Sequence, residues 1–313
     1  MENNFAGVVK IELLNILKNC TQENNIFPNE PMANHVSFRT GGVAKYFVTP
    51  SGCEEVIALV KALKDAEENF IVIGNGSNLL VSDEGFDGTV ISIGKQMSEI
   101  TVEGETLNVM AGALLSRIAS VALKNSLAGF EFASGIPGCL GGAVMMNAGA
   151  YGGEIKDVVV ETTYISADGE VKVRTGNEHS FGYRKSCFAQ GDVILSSKIK
   201  LHKGNPEDIK ALCDELNSKR KEKQPLEYPS AGSTFKRPEG YFAAKLIDDA
   251  GLRGFSVGGA MVSEKHCGFV INYDNATSTD VFNLMKEIKR IVFEKFGVTL
   301  EPEVRFVGSF PEF

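Results

Sequence analysis

Apolar and polar positions along the chain follow helix spacing in some segments and strand spacing in others. Apolar residues from Val56 to Leu63 repeat on one helical face, and Ser51 with Glu54 has the spacing of a capping box at the start of this helix. Phe70–Ile73 is a short apolar run that predicts a buried strand. The same reasoning predicts strands at residues 89–93, 107–111, 158–166, 170–174, 193–201 and 268–272.

Turn and cap residues predict where other elements begin and end. Ala167-Asp168-Gly169 lies between two strand-like runs and predicts a hairpin. Four further helices are predicted from start and stop signals: one from Leu114 that Gly129 ends, one opened by Asn205-Pro206 and stopped by Pro225, one over residues 242–250 before Gly251, and a long one from a Thr277/Asp280 capping box to Gly297.

Residues 134–153 form the most unusual segment of the chain. Seven of these twenty residues are glycine, and the others include Ile136, Leu140 and Met145 but no charged residue. Glycine among apolar residues indicates a packed backbone that something approaches closely. Free N–H groups in such turns bind anions, so a partly phosphorylated ligand is one interpretation. A tightly turned connection between two core elements is the other.

Composition narrows the class of protein. The chain has 313 residues with 43% hydrophobic and 23% charged content, which is typical of a globular protein of two or three domains. No apolar run reaches the length of a membrane span, and charges at Glu2, Lys10 and Lys18 are unlike a signal peptide. A net charge of −8 argues against a general nucleic-acid binder, and six scattered cysteines fit a reducing, cytoplasmic location.

Another glycine turn lies earlier in the chain and follows the strand that ends at Ile73. Gly74-Asn75-Gly76 lacks the third glycine and the following helix of a dinucleotide-binding fingerprint, and the chain has no P-loop sequence. The two turns, at residues 74–78 and 135–142, could hold the two ends of one pyrophosphate-linked cofactor, or they are unrelated turns. On the first interpretation, a β-branched residue at Gly76 or Gly141 should block the cofactor.

Five segments together resemble one family, the UDP-N-acetylenolpyruvoylglucosamine reductases (the MurB family). They occur in the order that the family shows and span nearly the whole chain. They are GNGSNLL (74–80), SGIPGCLGGAVMMNAGAYGG (134–153), FGYRKS (181–186), PSAGSTFKRP (229–238) and LEPEVRFVG (300–308).

The resemblance implies an α+β fold: a two-lobed FAD-binding unit of the vanillyl-alcohol-oxidase (PCMH) type, followed by a C-terminal α/β substrate-binding domain. The lobes would span residues 1–94 and 95–203, and the substrate-binding domain 204–313. It also implies bound, non-covalent FAD, NADPH as hydride donor, and reduction of UDP-N-acetylglucosamine enolpyruvate to UDP-N-acetylmuramate. The partners would be NADPH and the UDP-sugar, with no nucleic acid, membrane span or obligate protein partner.

The resemblance also implies roles for individual residues. Arg184 would bind the carboxylate on which negative charge develops, and Ser233 would deliver a proton. Glu303 would stand near the enolate as a protonated acid or orient water. Tyr183, Lys223, Arg237 and His266 are the candidate substrate-binding residues. The candidate FAD-binding residues are Gly74, Asn75, Gly76, Ser77, Asn78, Leu79, Gly135, Ile136, Pro137, Gly138, Gly141, Gly142, Ala143, Asn147 and Gly149.

Each of these residues also has a purely structural interpretation. Arg184 and Lys223 could be solvated surface charges, Ser233 a turn residue after Gly232, and Glu303 an edge-strand partner of Arg305. The four histidines are too far apart in sequence for a metal motif, so no metal site is predicted. The segment 178–187 is short, which resembles the subtype without an inserted lid tyrosine.

Two other functions stay open on the sequence alone. An oxygen-using FAD oxidase could share the scaffold, and some such enzymes attach the flavin through His or Cys; Cys139 lies in the glycine segment. A non-catalytic nucleotide-binding module would explain the glycine turns but not Arg184, Ser233 and Glu303 in their motifs.

Overall fold

A computed structural model describes residues 12–188 and 191–313. Glu2 and Lys10, on which the expectation of no signal peptide partly rests, lie outside the described residues. The helices are α1 (described over residues 12–20), α2 (Cys53–Asp65), α3 (Leu115–Lys124), α4 (Leu140–Met145), α5 (Pro206–Lys223), α6 (Ala243–Asp249) and α7 (Ser278–Phe296). The strands are β1 (Ile26–Pro31), β2 (Val43–Val48), β3 (Phe70–Ile73), β4 (Leu79–Val81), β5 (Phe86–Ser92), β6 (Ile100–Glu103), β7 (Thr106–Met110), β8 (Leu127–Ala128), β9 (Gly149–Ala150), β10 (Gly153–Glu154), β11 (Val159–Ile165), β12 (Val171–Thr175), β13 (Val193–Lys200), β14 (His202–Lys203), β15 (Ser256–Val257), β16 (Ala260–Val262), β17 (Val270–Asn272) and β18 (Arg305–Val307).

The chain forms two compact units, each with its own hydrophobic core. The first contains residues 12–29, 45–75, 88–188 and 191–217, and the second contains residues 30–44, 76–87 and 218–313. The chain therefore passes from one unit to the other several times. The division by function at residues 94 and 203 stays a prediction.

One sheet of the first unit has the strand order β1-β2-β5-β3, with β3 and β5 parallel. Helix α2 buries the apolar face that the sequence predicts, from Val56 to Leu63. The predicted capping box at its start is wrong. Gly52 is the N-cap residue, and the Glu55 carboxylate, not that of Glu54, accepts the Ser51 N–H at 2.8 Å. Glu55 also accepts the Thr21 hydroxyl at 2.6 Å, which holds its side chain in this position.

A second sheet has the order β12-β11-β13-β7-β6 and is antiparallel throughout. The predicted hairpin joins β11 to β12, with Gly169 at φ +88°. Helix α3 ends at Lys124, earlier than Gly129 predicts, because Asn125 caps it and donates its side-chain amide to the Val121 carbonyl at 2.8 Å. The segment of residues 134–153 contains helix α4 and the small hairpin β9–β10.

The second unit contains the parallel pair β4–β18 and the sheet β15-β16-β17. Its long helix α7 begins at the predicted Thr277/Asp280 capping box and ends at Gly297, which has φ +67°. The Asp83 carboxylate accepts two further N–H groups of the first turn of α7 at 2.8 Å each. The predicted start of α5 is also confirmed, because the Glu207 N–H donates to Asn205 Oδ1 at 2.8 Å.

The part of the chain that the structure describes contains neither a membrane-spanning helix nor a metal-binding cluster. Between residues 12 and 313, with 189 and 190 left aside, no helix combines the length and apolar character needed to cross a bilayer. The same part of the chain contains no group of three or more His, Cys, Asp or Glu side chains arranged to bind a metal ion.

Candidate active site

Arg184 lies at the tip of a tight turn in the first unit. Gly182 and Lys185 pair through two backbone hydrogen bonds of 3.0 and 3.3 Å, and Arg184 between them has φ +54°. This left-handed conformation is costly for a residue with a Cβ, so the contacts around the turn must stabilise it. The guanidinium carbon lies 5.2 Å from the Tyr183 ring centroid, and Nη2 is 3.5 Å from the Gly149 carbonyl oxygen.

Two side-chain contacts fasten this turn to the glycine-rich segment. The Ser186 hydroxyl donates to the Met145 carbonyl at 2.9 Å. The Asn147 amide donates to the Gly182 carbonyl and to Glu154 Oε2, at 3.1 Å each, and its oxygen accepts the Lys156 N–H at 2.9 Å. Asn147 is completely buried. The motifs of residues 134–153 and 181–186, which are separate in sequence, are therefore parts of one structural feature.

Charge near Arg184 is arranged around the Glu154 carboxylate. Lys156 Nζ lies 2.5 Å from Glu154 Oε2. This hydrogen bond is the main cause that lowers the pKa of Glu154, and Asn147 and the positive charge of Arg184 lower it further. The Glu154 contact correspondingly raises the pKa of Lys156. Glu154 is therefore ionised near neutral pH and balances part of the local positive charge.

In the second glycine turn, at residues 135–142, several backbone N–H groups that the sequence predicts to be free already donate to carbonyls of the protein. The N–H groups of Ile136, Gly138 and Gly141 already donate to the carbonyls of Ala133, Ile136 and Ala111. A Cβ on Gly141 would lie 3.2 Å from the Ala111 Cβ, so this glycine allows α4 to pack closely. Gly142 has the opposite surroundings: it is exposed, and nothing lies within 4 Å of the place its Cβ would take.

The first glycine turn combines tight packing with free donors. A Cβ on Gly76 would lie 1.9 Å from the His35 carbonyl oxygen, at a φ of +60°. A β-branched residue there or at Gly141 would therefore perturb the fold itself. It would not serve as a clean test of cofactor binding. Among the described residues no acceptor is paired with the backbone N–H of Asn75, Gly76 or Ser77.

Each turn, taken by itself, has a feature that an FAD site needs. A dinucleotide needs backbone donors for its pyrophosphate and room at a residue without a side chain. The donors are present at residues 75–77, and the room is present at Gly142. Cys139, the candidate for covalent attachment, is 4% exposed, and its sulfur lies 2.1 Å from where a Gly74 Cβ would be. Its thiol is enclosed by protein, which favours non-covalent binding.

Ser233 and Glu303 come together in the second unit. Phe235 forms an antiparallel bridge with Pro302, the Glu303 N–H donates to the Thr234 carbonyl, and the Lys236 N–H donates to the Glu301 carbonyl, both at 2.9 Å. Ser233 itself is exposed, and Gly232 before it has φ +77°. The pairing holds the backbone that follows Ser233, and the Ser233 residue stays exposed.

Asn78 holds the Glu303 segment from the other direction. Its side-chain amide donates to the Glu303 carbonyl at 3.0 Å, and its own carbonyl accepts the Arg305 N–H at 2.9 Å. The second of these bonds belongs to the parallel β4–β18 pairing, whose first pair is Arg305 with Leu79. The resemblance assigns Asn78 to FAD, and its contact with Glu303 could not be inferred from sequence, because the two residues are 225 positions apart.

Thr234 links the Ser233 segment to the His266 segment. Its N–H donates to the Gly268 carbonyl and its hydroxyl accepts the Val270 N–H, both at 2.9 Å. The Gly268 N–H in turn donates to His266 Nδ1 at 3.1 Å. Burial lowers the pKa of His266. The ring is therefore neutral near pH 7, with its proton on Nε2. Thr234 is 1% exposed and is a positioning residue that sequence reasoning missed.

The remaining substrate-binding candidates occupy exposed positions. The Arg237 guanidinium lies over the Phe242 ring, 3.9 Å from its centroid, and Arg237 Nε donates to the Tyr241 carbonyl at 3.2 Å. Lys223 is the last residue of α5, and Tyr183 is 50% exposed. The hydrogen bonds described above do not include Lys223, so its role stays a prediction.

Comparison with known proteins decides the family. The chain is 50% identical over 298 residues to the UDP-N-acetylenolpyruvoylglucosamine reductase of Caldanaerobacter subterraneus, which covers 95% of this chain and 98% of the relative. The chain belongs to the UDP-N-acetylenolpyruvoylglucosamine reductase family. A reductase of the same name from Clostridioides difficile is 46% identical over 96% of this chain and 98% of its own length.

Two domain profiles divide the chain in the same order as the resemblance. An FAD-binding domain matches residues 44–175, which include both glycine turns. The C-terminal domain of UDP-N-acetylenolpyruvoylglucosamine reductase matches residues 224–307, which include Ser233 and Glu303. Arg184 lies between the two matches, and Lys223 lies just before the second.

Solved structures agree with the predicted fold class. The UDP-N-acetylenolpyruvylglucosamine reductase (MurB) of Thermus caldophilus has a TM-score of 0.78 at 34% identity, and the match covers 90% of this chain and 98% of that one. The glucose dehydrogenase Phl p 4.0202 has a TM-score of 0.51 at 14% identity, covering 92% of this chain and 63% of that one, which shows a shared fold alone. The prediction of a PCMH-type FAD-binding fold with a reductase-type C-terminal domain is confirmed.

Proposed function

We propose that the protein is an NADPH-dependent flavoenzyme that reduces UDP-N-acetylglucosamine enolpyruvate to UDP-N-acetylmuramate in peptidoglycan precursor synthesis. The identity of 50% to a reductase of this family over 95% of the chain carries the proposal. The described geometry supports it, because Arg184, Ser233 and Glu303 each lie on a segment that is held by specific contacts.

The candidate FAD contacts are the backbone donors of residues 75–77 and the open position at Gly142. When bound, FAD would supply the redox chemistry, which is transfer of hydride from NADPH to the methylene carbon of the enolpyruvyl double bond. The protein supplies binding, orientation and electrostatics. We assign the UDP-sugar and NADPH as its partners. Its six free cysteines support a cytoplasmic location, where thiols stay reduced.

Arg184 stabilises the negative charge that develops on the substrate. Once the methylene carbon has gained hydride, the adjacent carbon and its carboxylate share an enolate charge. A guanidinium is always cationic and can bind a carboxylate through two parallel hydrogen bonds. A fixed turn presents this charge before the reaction begins, so little reorganisation is needed as the enolate forms.

Ser233 delivers the proton that completes the reduction. Its exposed hydroxyl can approach the carbon that bears the ether oxygen, while the backbone pairing on both sides of Thr234 fixes its direction. A hydroxyl is a weak acid, so the proton must pass to a carbon that is strongly basic, as the enolate is. Glu303, whose N–H donates to the Thr234 carbonyl beside Ser233, orients or replenishes that proton.

The experiment separates the two half-reactions by anaerobic stopped-flow. Arg184→Ala and Ser233→Ala should leave reduction of the flavin by NADPH nearly intact. Arg184→Ala should slow reoxidation by the enolpyruvyl substrate by about 10²–10³. Ser233→Ala should slow turnover by roughly 10²–10⁴, and Ser233→Cys should recover part of it because a thiol is a stronger acid.

Two outcomes would contradict these assignments. Equal slowing of both half-reactions in Arg184→Ala would indicate a structural role for the arginine. Turnover of Ser233→Ala near that of the wild type would move the proton donor to Glu303 or water and leave Ser233 as a turn residue.

A further inference from the structure

We propose that Asn147 is a positioning residue for Arg184, which fixes the turn of residues 182–185 through its side-chain amide. The inference rests on the proposed function, because it takes Arg184 as the group that binds the developing enolate. The hydrogen bonds of the Asn147 side chain go to Glu154 Oε2, to the Gly182 carbonyl and from the Lys156 N–H. Asn147 acts on the backbone that carries the guanidinium.

All polar atoms of the Asn147 side chain are engaged within the protein. Its Nδ2 has two hydrogens, and two acceptors lie at 3.1 Å: the Gly182 carbonyl and Glu154 Oε2. Its Oδ1 accepts the Lys156 N–H at 2.9 Å. The residue is 0% exposed, so no surface of the side chain remains for a ligand. The prediction that Asn147 binds FAD stays a prediction.

The backbone at this position explains why asparagine in particular is suited to it. Asn147 has φ +42°, a left-handed conformation that asparagine adopts more readily than most residues other than glycine. Only Asn and Gln carry a neutral amide that donates twice and accepts once, and Gln is one carbon longer. Aspartate would have the right shape, but it would place an acceptor against the Gly182 carbonyl and against the Glu154 carboxylate.

The Asn147 amide affects the position of Arg184 through the Gly182 carbonyl. The same carbonyl accepts the Lys185 N–H at 3.3 Å, which closes the turn around Arg184. The Asn147 amide therefore holds one end of a turn whose central residue has a strained φ of +54°. Without the Asn147 amide, the Gly182 carbonyl accepts a hydrogen bond from water or changes its orientation. The turn can then adopt other conformations, in which the guanidinium of Arg184 is displaced.

The consequence should appear in catalysis before it appears in folding. A catalytic group displaced by about 1 Å loses roughly 10²-fold in rate. Arg184 is assigned only to the second half-reaction. Loss of the Asn147 amide should therefore slow flavin reoxidation by the enolpyruvyl substrate, and it should leave flavin reduction by NADPH nearly unchanged.

The test compares Asn147→Gly with Asn147→Asp and a matched control. Glycine tolerates the positive φ but removes the amide, whereas aspartate keeps the shape and removes the donors. The control is Ser98→Ala, at another buried residue of the same unit; it removes the 2.7 Å contact to the Lys95 carbonyl and the 2.8 Å contact from Arg117 Nη1. Both Asn147 variants should slow reoxidation about 10- to 100-fold. Ser98→Ala should leave both half-reactions unchanged.

A second readout follows the turn directly and does not depend on turnover. Hydrogen–deuterium exchange of the peptide that covers residues 181–186 should accelerate in both Asn147 variants and not in Ser98→Ala, because the Gly182 carbonyl that accepts the Lys185 N–H is no longer held by the Asn147 amide. Asn147→Asp keeps the test usable if Asn147→Gly folds poorly. The two substitutions differ in backbone freedom, but both remove the side-chain donors.

The results distinguish failure of this inference from failure of the proposed function. Wild-type protein that never passes hydride to the enolpyruvyl sugar would overturn the function. An active wild type, a slow Arg184→Ala, and Asn147 variants with normal reoxidation and normal exchange at residues 181–186 would overturn the inference alone. Equal slowing of both half-reactions would also overturn it, because that pattern indicates general structural damage.

Discussion

Substitution of Gly142 by alanine tests FAD binding, because it should raise the stability of the apoprotein and lower its affinity for FAD. Gly142 is the third residue of the six-residue helix α4, and nothing lies within 4 Å of the place its Cβ would take. In a helix interior, Gly→Ala stabilises by about 0.8–1.0 kcal/mol. Because α4 is short and Gly142 is in its first turn, we expect about half of that gain for Gly142→Ala in the protein without FAD.

The methyl group should cost affinity if the cofactor occupies that open space. Adding a methyl to a well-packed contact typically costs about 1–3 kcal/mol. That range corresponds to a loss of roughly 5- to 150-fold in FAD affinity. The apoprotein of Gly142→Ala should therefore melt about 1–2 °C higher than the wild type, while FAD binds it more weakly.

The assay needs two measurements on each protein. Thermal unfolding of the apoprotein gives the folding term, and titration followed by flavin fluorescence gives the dissociation constant. Ser120→Ala is the matched control, since it places alanine at an exposed site within α3 of the same unit. It should not change FAD affinity. An unchanged FAD dissociation constant in Gly142→Ala would refute the assignment of this glycine to the cofactor site.

Three further predictions follow from individual contacts. Asn78→Ala should slow reoxidation by the enolpyruvyl substrate about 2- to 12-fold, because it removes one hydrogen bond to the Glu303 carbonyl; a loss confined to FAD affinity would assign the side chain to the cofactor instead. Burial lowers the pKa of His266. The unfolded chain therefore binds more protons than the folded chain below about pH 6.5, and the free energy of unfolding should fall as the pH drops through that value. His266→Asn should flatten this slope in urea unfolding, and an unchanged slope would contradict the account. Burial, aided by Asp248, raises the pKa of Cys267 to about 11, so iodoacetamide should label it slowly in the native protein at pH 8, and rapid labelling would contradict this.

Turn and capping residues predicted correctly those helix and hairpin ends that are stabilised by residues nearby in the sequence. The hairpin at residues 167–169 and the Thr277/Asp280 capping box are both present, because each is stabilised within a few residues of itself. The Ser51/Glu54 box failed for a non-local reason. Thr21, distant in sequence, donates to Glu55 and helps to fix it as the acceptor of the Ser51 N–H.

The candidate site shows the same limit more clearly. The motifs themselves identified Arg184, Ser233 and Glu303, but not what holds them. Asn147 and Asn78 carry side-chain contacts to Gly182 and Glu303, across 35 and 225 positions. Sequence alone also could not distinguish Gly141, which packs on Ala111, from Gly142, which faces open space. Those differences depend on tertiary packing.

The central claim is that hydride passes from NADPH through the bound flavin to the enolpyruvyl sugar nucleotide. One anaerobic experiment tests it most directly: one equivalent of NADPH is added to the purified holoenzyme in deuterium oxide, followed by UDP-N-acetylglucosamine enolpyruvate. We predict that NADPH bleaches the flavin, that the sugar nucleotide restores its colour, and that one equivalent of UDP-N-acetylmuramate forms with solvent deuterium on the carbon that bears the ether oxygen. Colour that returns only when oxygen is admitted, with the sugar nucleotide unchanged, would contradict the account and indicate an oxidase.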